Sequence, residues 1–317
     1  MTAPDMQKIA VSMHKLLVLS MMITLSTSCH RGVKNQLDNV GKTFHFRFNP
    51  PDSSTYRYHT TCETVLTVVE NGKISRLQRT SQFTVDYLIS KDRGDIVLDM
   101  TFGESNYHEW NVPATQNGNA ADVPGPVYEM LNRIKTATIF VRVRPVDLTV
   151  TMGGARELAY SGVDAYYAAA DREQARAYWG QWAEEQLVWK NIAPFTWVAL
   201  DSVRYLGHQW TDVSTNAEDI NFKINKHLRF DSLSEGIATI RSQGRISNDQ
   251  AGTWLSGRLV TGTLTGNEIG RCLVDTATGM PTEMEEEVQA QGNVEIEGRK
   301  GSIKIINTIR LVGRKLK

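Results

Sequence analysis

The chain has 317 residues, with 35 basic and 35 acidic side chains and 41% hydrophobic residues. That balance excludes a nucleic-acid groove built on surplus Lys and Arg, and it excludes a polybasic membrane patch. The length suffices to bury a sizeable core, as one large domain or two intimate halves.

In chain order, the first feature is a targeting segment. Lys15 precedes an apolar stretch from Leu16 to Leu25, followed by Ser26, Thr27, Ser28 and Cys29. The stretch is roughly ten residues, which suits a signal-peptide core. It is too short for a spanning helix, which needs about 20. Residues 1–28 therefore read as a lipoprotein signal peptide, with Cys29 as the lipidated first residue of the mature chain. Met13 gives a more typical start than Met1. Leu25 stands four positions before the cysteine rather than three, a looser lipobox that resembles those of Bacteroidota lipoproteins. By the same analogy, the run His30-Arg-Gly-Val-Lys34 lacks both the Asp tied to inner-membrane retention and the acidic cluster of surface export. The expected address is the periplasmic face of the outer membrane, with the lipid on Cys29 as the membrane contact. Removal of Lys8, Lys15 and Asp5 leaves the mature chain one charge negative.

Residues 29–42 read as a tether and 43–317 as a single β-rich domain. Its halves, about 43–160 and 205–317, are joined by a helical segment at about 161–195. The strongest signal is Asn71-Gly72, the preferred dipeptide of a two-residue type I′ hairpin. A turn there sets Leu66 opposite Leu77, Tyr58 opposite Val85 and Tyr56 opposite Tyr87. A second turn at Arg93-Gly94 sets Tyr87 opposite Met100 and Val85 opposite Phe102. Both registers put apolar against apolar on one face, as a half-buried sheet requires. Strands this long must twist and curl. The expectation is a mainly β (α+β) fold: a long curved antiparallel meander or open barrel.

The segment Asn111–Gly125 reads as a loop and Val127–Lys135 as a helix with Pro126 in its first turn. Thr138–Arg144 and Asp147–Met152 read as strands, with a turn at Gly153-Gly154. A long helix is predicted over Val163–Lys190, ended by Pro194. Tyr178, Trp182, Glu185 and Trp189 then share one face, with Trp179 and Gln186 beside them. Further strands are predicted at Gly207–Val213, Asn221–Phe230, Gly236–Ser247, Gly252–Leu264, Glu268–Asp275, Pro281–Ala290, Asn293–Glu297 and Gly301–Val312. The glycines at 252, 257, 262 and 266 mark bends where a sheet curls.

The Gly41-Lys-Thr-Phe44 start, the Thr-rich meander, the central helix and the Asp275-Thr-Ala-Thr-Gly-Met-Pro281 turn together resemble a family of uncharacterised Bacteroidota lipoproteins. That family supplies no catalytic residues to transfer. More loosely, the curved sheet with helices resembles the half-barrel lipoprotein carriers of the envelope, and this implies an acyl chain in the concave face.

Motifs for chemistry are incomplete. Gly41-Lys42-Thr43 matches the end of a phosphate loop, but Gln36 stands where its first glycine belongs. His108-Glu109 begins like a zinc-protease helix, but Val112 replaces the second histidine. Glu283, Glu285, Glu286 and Glu287 read as a charged edge strand, with Glu286 or a neighbour turned inward. Cys62 and Cys272 are either a disulfide, allowed in an oxidising compartment, or two separate buried thiols. No metal ligands, cofactor or catalytic residues are expected.

Three functions follow. The first is a non-enzymatic binder of an apolar ligand or lipid, lined by Tyr178, Trp179, Trp182, Trp189 and Trp197. Against it stands the common role of aromatic stripes as core. The second is a structural or interaction module for another envelope protein. The third is a hydrolase with a dispersed site.

Overall fold

A computed structural model describes residues 43–113, 125–145, 149–197, 202–216, 222–247, 253–255 and 258–316. Cys29, the signal segment, the tether, most of the 111–125 loop, Gly252 and Gly257 lie outside the described residues.

Fourteen strands and four α-helices are described, in the order β1 Thr43–Phe46, β2 Thr55–Glu70, β3 Lys73–Asp92, β4 Asp95–Pro113, α1 Gly125–Arg133, β5 Ile139–Val143 and β6 Val150–Gly153. Then come α2 Ala155–Tyr166, α3 Arg172–Ala183, a π turn Glu184–Trp189, α4 Lys190–Thr196, β7 Ser202–Tyr205 and β8 Gln209–Asn216. The chain ends with β9 Phe222–Ser234, β10 Ile237–Ser247, β11 Thr253–Leu255, β12 Arg258–Asp275, β13 Pro281–Ile296 and β14 Arg299–Lys315.

The main sheet is antiparallel and runs β6-β5-β4-β3-β2-β14-β13-β12-β10-β9-β8, with β11 added to β12. It is long and open rather than a closed barrel. The two β-rich halves meet where β2 pairs with β14. β1 and β7 form a separate two-stranded ribbon.

The hairpin register is the one the turns specify. Asn71 and Gly72 both have positive φ, as a type I′ turn demands. Leu66 faces Leu77, and Tyr56 faces Tyr87. Arg93 and Gly94 repeat the device, and Val85 faces Phe102. Beyond that pair, Thr84 alone spans Gly103 and Glu104, and Phe83 faces Ser105. This bulge shifts the inward set of β4 from Ile96, Leu98, Met100 and Phe102 to Tyr107.

Two hydrophobic clusters fill the inner face. In the larger one the helices pack on β2–β5 and the upper ends of β9, β10, β12, β13 and β14. Phe195 meets Tyr58 and Tyr87 edge-on, at ring-centroid distances of 5.4 and 5.6 Å. Such pairs add about 0.5–1.5 kcal/mol each beyond burial. The smaller cluster contains Leu66, Phe222, Ile246, Leu264, Val288 and Ile305 and no helix. There the sheet rolls onto itself. A Cβ at Gly266 would lie 1.9 Å from the Gln289 carbonyl oxygen, and one at Gly292 would lie 2.0 Å from that of Thr263. These glycines permit the tight coiling of β12 against β13.

Several expected boundaries change. The predicted breaks at 264–268 and 290–293 do not occur, and β12 and β13 each run unbroken through their glycines. The helical region starts at Ala155, not Val163, and is interrupted before Arg172. Pro194 sits inside α4, which ends at Thr196. β13 lies between β12 and β14, so the glutamate run is on a central strand and not an edge.

Candidate functional site

The buried stripe of α3 passes through Ala175, Trp179, Trp182 and Ala183. Tyr178 is 41% exposed, while Trp179, Trp182 and Trp197 are 9%, 6% and 2% exposed. Trp189 is partly buried against the same core. The expected face is therefore turned by one position at Tyr178. The π turn adds a residue to one helical repeat, so Trp189 does not follow Trp182 at regular α spacing. Trp182 packs on Tyr107 at 5.6 Å and on Trp179 at 5.8 Å. The Trp179 indole N–H donates to the Tyr167 hydroxyl at 3.0 Å. These rings hold the helices to the sheet.

Cys62 and Cys272 are free, buried thiols. They stand on β2 and β12 with β14 and β13 between them. Three strand spacings are roughly 14 Å, beyond disulfide reach. The pairing is not formed, and burial pushes the Cys272 thiol well up.

The inner face carries a charged cluster between the two hydrophobic clusters. Lys226 Nζ donates to Glu286 Oε1 at 2.6 Å, both side chains being almost fully buried. The same ammonium lies 5.3 Å from the centre of the Trp197 ring. Ser242 Oγ donates to Glu268 Oε1, while Glu268 Oε2 is buried without a hydrogen-bond partner. Burial, reinforced by the Glu286 charge, pushes the Glu268 carboxyl up to about 7 against the opposing pull of Lys226 and Ser242. Burial depresses Lys226, but the Glu286 and Glu268 carboxylates outweigh it and hold the ammonium above its ordinary value. A side chain at Gly244 or Gly270 would collide with Glu268. Those glycines make room for it.

The opposite face of the same strands forms a groove of about 1010 Å³. Register builds its lining directly. Arg229, Arg241 and Arg271 are neighbours across β9, β10 and β12, followed by Glu285 on β13 and Arg310 on β14. The adjacent row is His227, Gln243, Ile269, Glu287, Thr308 and Glu63, reaching β2. Like charges directly opposite are unfavourable, and carboxylates relieve them. Asp231 accepts from Arg241 at 3.0 Å and lies 3.8 Å from Arg229. Glu283 holds Arg271 at 2.6 Å, and Glu285 holds Arg310 at 3.0 Å.

None of the aromatic residues expected to line a ligand site lines this groove. The sequence singled out the Glu283–Glu287 run and turned Glu286 or a neighbour inward, as Glu286 is here, but Lys226, Glu268 and the groove arginines were missed, although a signal existed. Strand β9 reads Phe222, Ile224, Lys226, Leu228, Phe230 at alternate positions, so Lys226 stands in an otherwise apolar row. Glu286 and Glu268 interrupt their inward rows in the same way. His108 is exposed on β4, and Glu109 accepts from Arg79 and Tyr107, both at 2.8 Å. Among the described residues, no three acidic, His or Cys side chains gather as a metal site.

No family model matches the chain, and no curated protein matches it significantly. Among solved structures, it is similar to the COG4313 outer membrane channel from Pseudomonas putida F1, at 8% identity and TM-score 0.23, covering 83% of this chain and 96% of that one. OccK7 (OpdD) of Pseudomonas aeruginosa aligns at 8% identity and TM-score 0.20, covering 83% of this chain and 100% of that one. A DUF1329 family protein from Desulfovibrio piger aligns at 8% identity and TM-score 0.13, covering 78% and 83%. Scores this low do not establish a shared architecture. The face polarity also differs from that of a membrane-spanning barrel, whose outward band is apolar. Here the apolar residues point inward, and the outward row across β9–β14 is charged.

Proposed function

We propose that this chain is a lipid-anchored protein of the bacterial envelope, held by Cys29 at the periplasmic face of the outer membrane. Its folded domain acts as a non-enzymatic docking module for another envelope protein. The observation that carries this reading is the charged groove of about 1010 Å³ on the outer face, set against an inner face whose aromatic side chains are mostly buried in the core. The alternative of an apolar ligand in the concave face loses its candidate lining, because Trp179, Trp182 and Trp197 are packed core. A hydrolase reading draws no support from the Ser242–Glu268 pair, since both residues are at most 2% exposed.

The test is co-purification from cells of the anchored chain and of an Arg229→Glu, Arg241→Glu variant. Both arginines are exposed, so the variant should still fold, losing about 1 kcal/mol from the like charges it sets opposite each other. A partner that accompanies the wild type and is lost with the variant supports docking at the groove. Unchanged recovery, or a stoichiometric lipid in an organic extract, contradicts it. Separately, Cys29→Ala should abolish palmitate labelling and release the protein from membranes. Retention on membranes would overturn the anchor.

A further inference from the structure

We infer that the groove accepts an extended peptide segment with acidic residues at one end and basic residues at the other. This deepens the docking reading above and rests on it. The lining is polarised along the direction that crosses the strands. On β9, β10 and β12 it offers Arg229, Arg241 and Arg271 against Asp231 in the lining and Glu283, which holds Arg271, beside it, an excess of one positive charge. On β13, β14 and β2 it offers Glu285, Glu287 and Glu63 against one guanidinium, Arg310. Between the two ends stands Ile269, which is 51% exposed.

A surface with cationic and anionic ends and an apolar centre is complementary to a zwitterionic occupant. It disfavours a uniformly acidic or basic one at either end. From β9 to β2 there are five strand spacings, about 24 Å in all. An extended chain of about seven residues has that length. The volume is at the upper limit of small-ligand sites, which suits an oligomer.

The test uses fluorescein-labelled octapeptides and the full anchored chain in detergent at low salt. One peptide carries two Glu, four neutral residues including two Leu, and two Lys. Its isomer alternates Glu and Lys, and two others are wholly acidic or wholly basic at the charged positions. The polarised peptide should bind about tenfold more tightly than its isomer, the size expected from a few well-placed charge pairs. Arg229→Glu with Arg241→Glu should remove that preference. Equal binding of the two isomers, tightest binding of the acidic or basic peptide, or no binding at all overturns the inference. If peptide order is irrelevant yet co-purification still depends on Arg229 and Arg241, the peptide inference falls and the docking reading stands. If that dependence is absent, the docking reading itself falls.

Discussion

At the scale of single residues, the inner charged cluster sets buried charges among apolar side chains, which costs desolvation. Lys226 and Glu286 are each about 4% exposed and are held at 2.6 Å, deep between two apolar clusters. Such a pair contributes little net stability over an apolar replacement, but breaking it strands a buried charge. Lys226→Met should therefore cost about 3–5 kcal/mol in urea denaturation near neutral pH. Lys226→Met with Glu286→Leu should recover most of that loss. A double variant as weak as the single one would show that the pair is not acting as a unit.

Glu268 makes a separate prediction. Its carboxyl rises to about 7 in the folded chain, chiefly through burial and then through Glu286, while an unfolded Glu titrates near about 4.3. The folded state therefore binds the proton more tightly. The stabilisation is complete below the unfolded value and is lost as pH rises through about 7. The displacement corresponds to on the order of 3 kcal/mol. Glu268→Gln mimics the protonated form, so it should stabilise the protein by about 3 kcal/mol at pH 8 and change it little at pH 4. Parallel stability profiles for the two proteins would contradict this.

At the scale of elements, legibility followed turn chemistry. Asn71-Gly72 and Arg93-Gly94 specify positive φ and a two-residue loop, and so the pairing of β2, β3 and β4 could be read in advance. The gaps expected at 264–268 and 290–293 were misplaced, while the curling assigned to the β12 glycines is found at Gly266. At Gly266 and Gly292 the missing Cβ permits close backbone approach, and the ladder continues through both. The helical segment was read as one piece, but a break before Arg172 and a π turn at Glu184–Trp189, whose Gln186, Leu187 and Val188 are buried, divide it. These roles differ in energy. Gly292→Ala puts a Cβ against the Thr263 carbonyl and should cost about 3 kcal/mol. Gly72→Ala meets no atom within 4 Å and should cost only about 1 kcal/mol, from its positive φ. Denaturation midpoints compare the two directly, and equal losses would contradict the coiling role assigned to Gly292.

At the scale of the whole molecule, one sheet performs two tasks on its two faces. Its inner face is completed by helices at one end and by its own rolling at the other. Its outer face carries the groove. The inner face was legible because apolar alternation reports burial. The groove was not, because Arg229, Arg241 and Arg271 are far apart in the chain and become neighbours only through the β9–β10–β12 register. Exposed charges in alternating rows look the same whether they are merely solvated or gathered into a site. The aromatic cluster drew attention instead, since ring size is visible in sequence while the difference between core and pocket is not.

The outer groove, and not the aromatic helix, is the proposed meeting place with a partner. Site-specific photocrosslinking in cells tests it most directly, with the reactive side chain placed at Ile269 in the groove or at Tyr178 on the exposed side of α3. The account expects a single protein adduct from position 269 that disappears when Arg229 and Arg241 are changed to Glu, and none from position 178. An adduct from 178 alone, or one from 269 that survives the charge reversal, would contradict it.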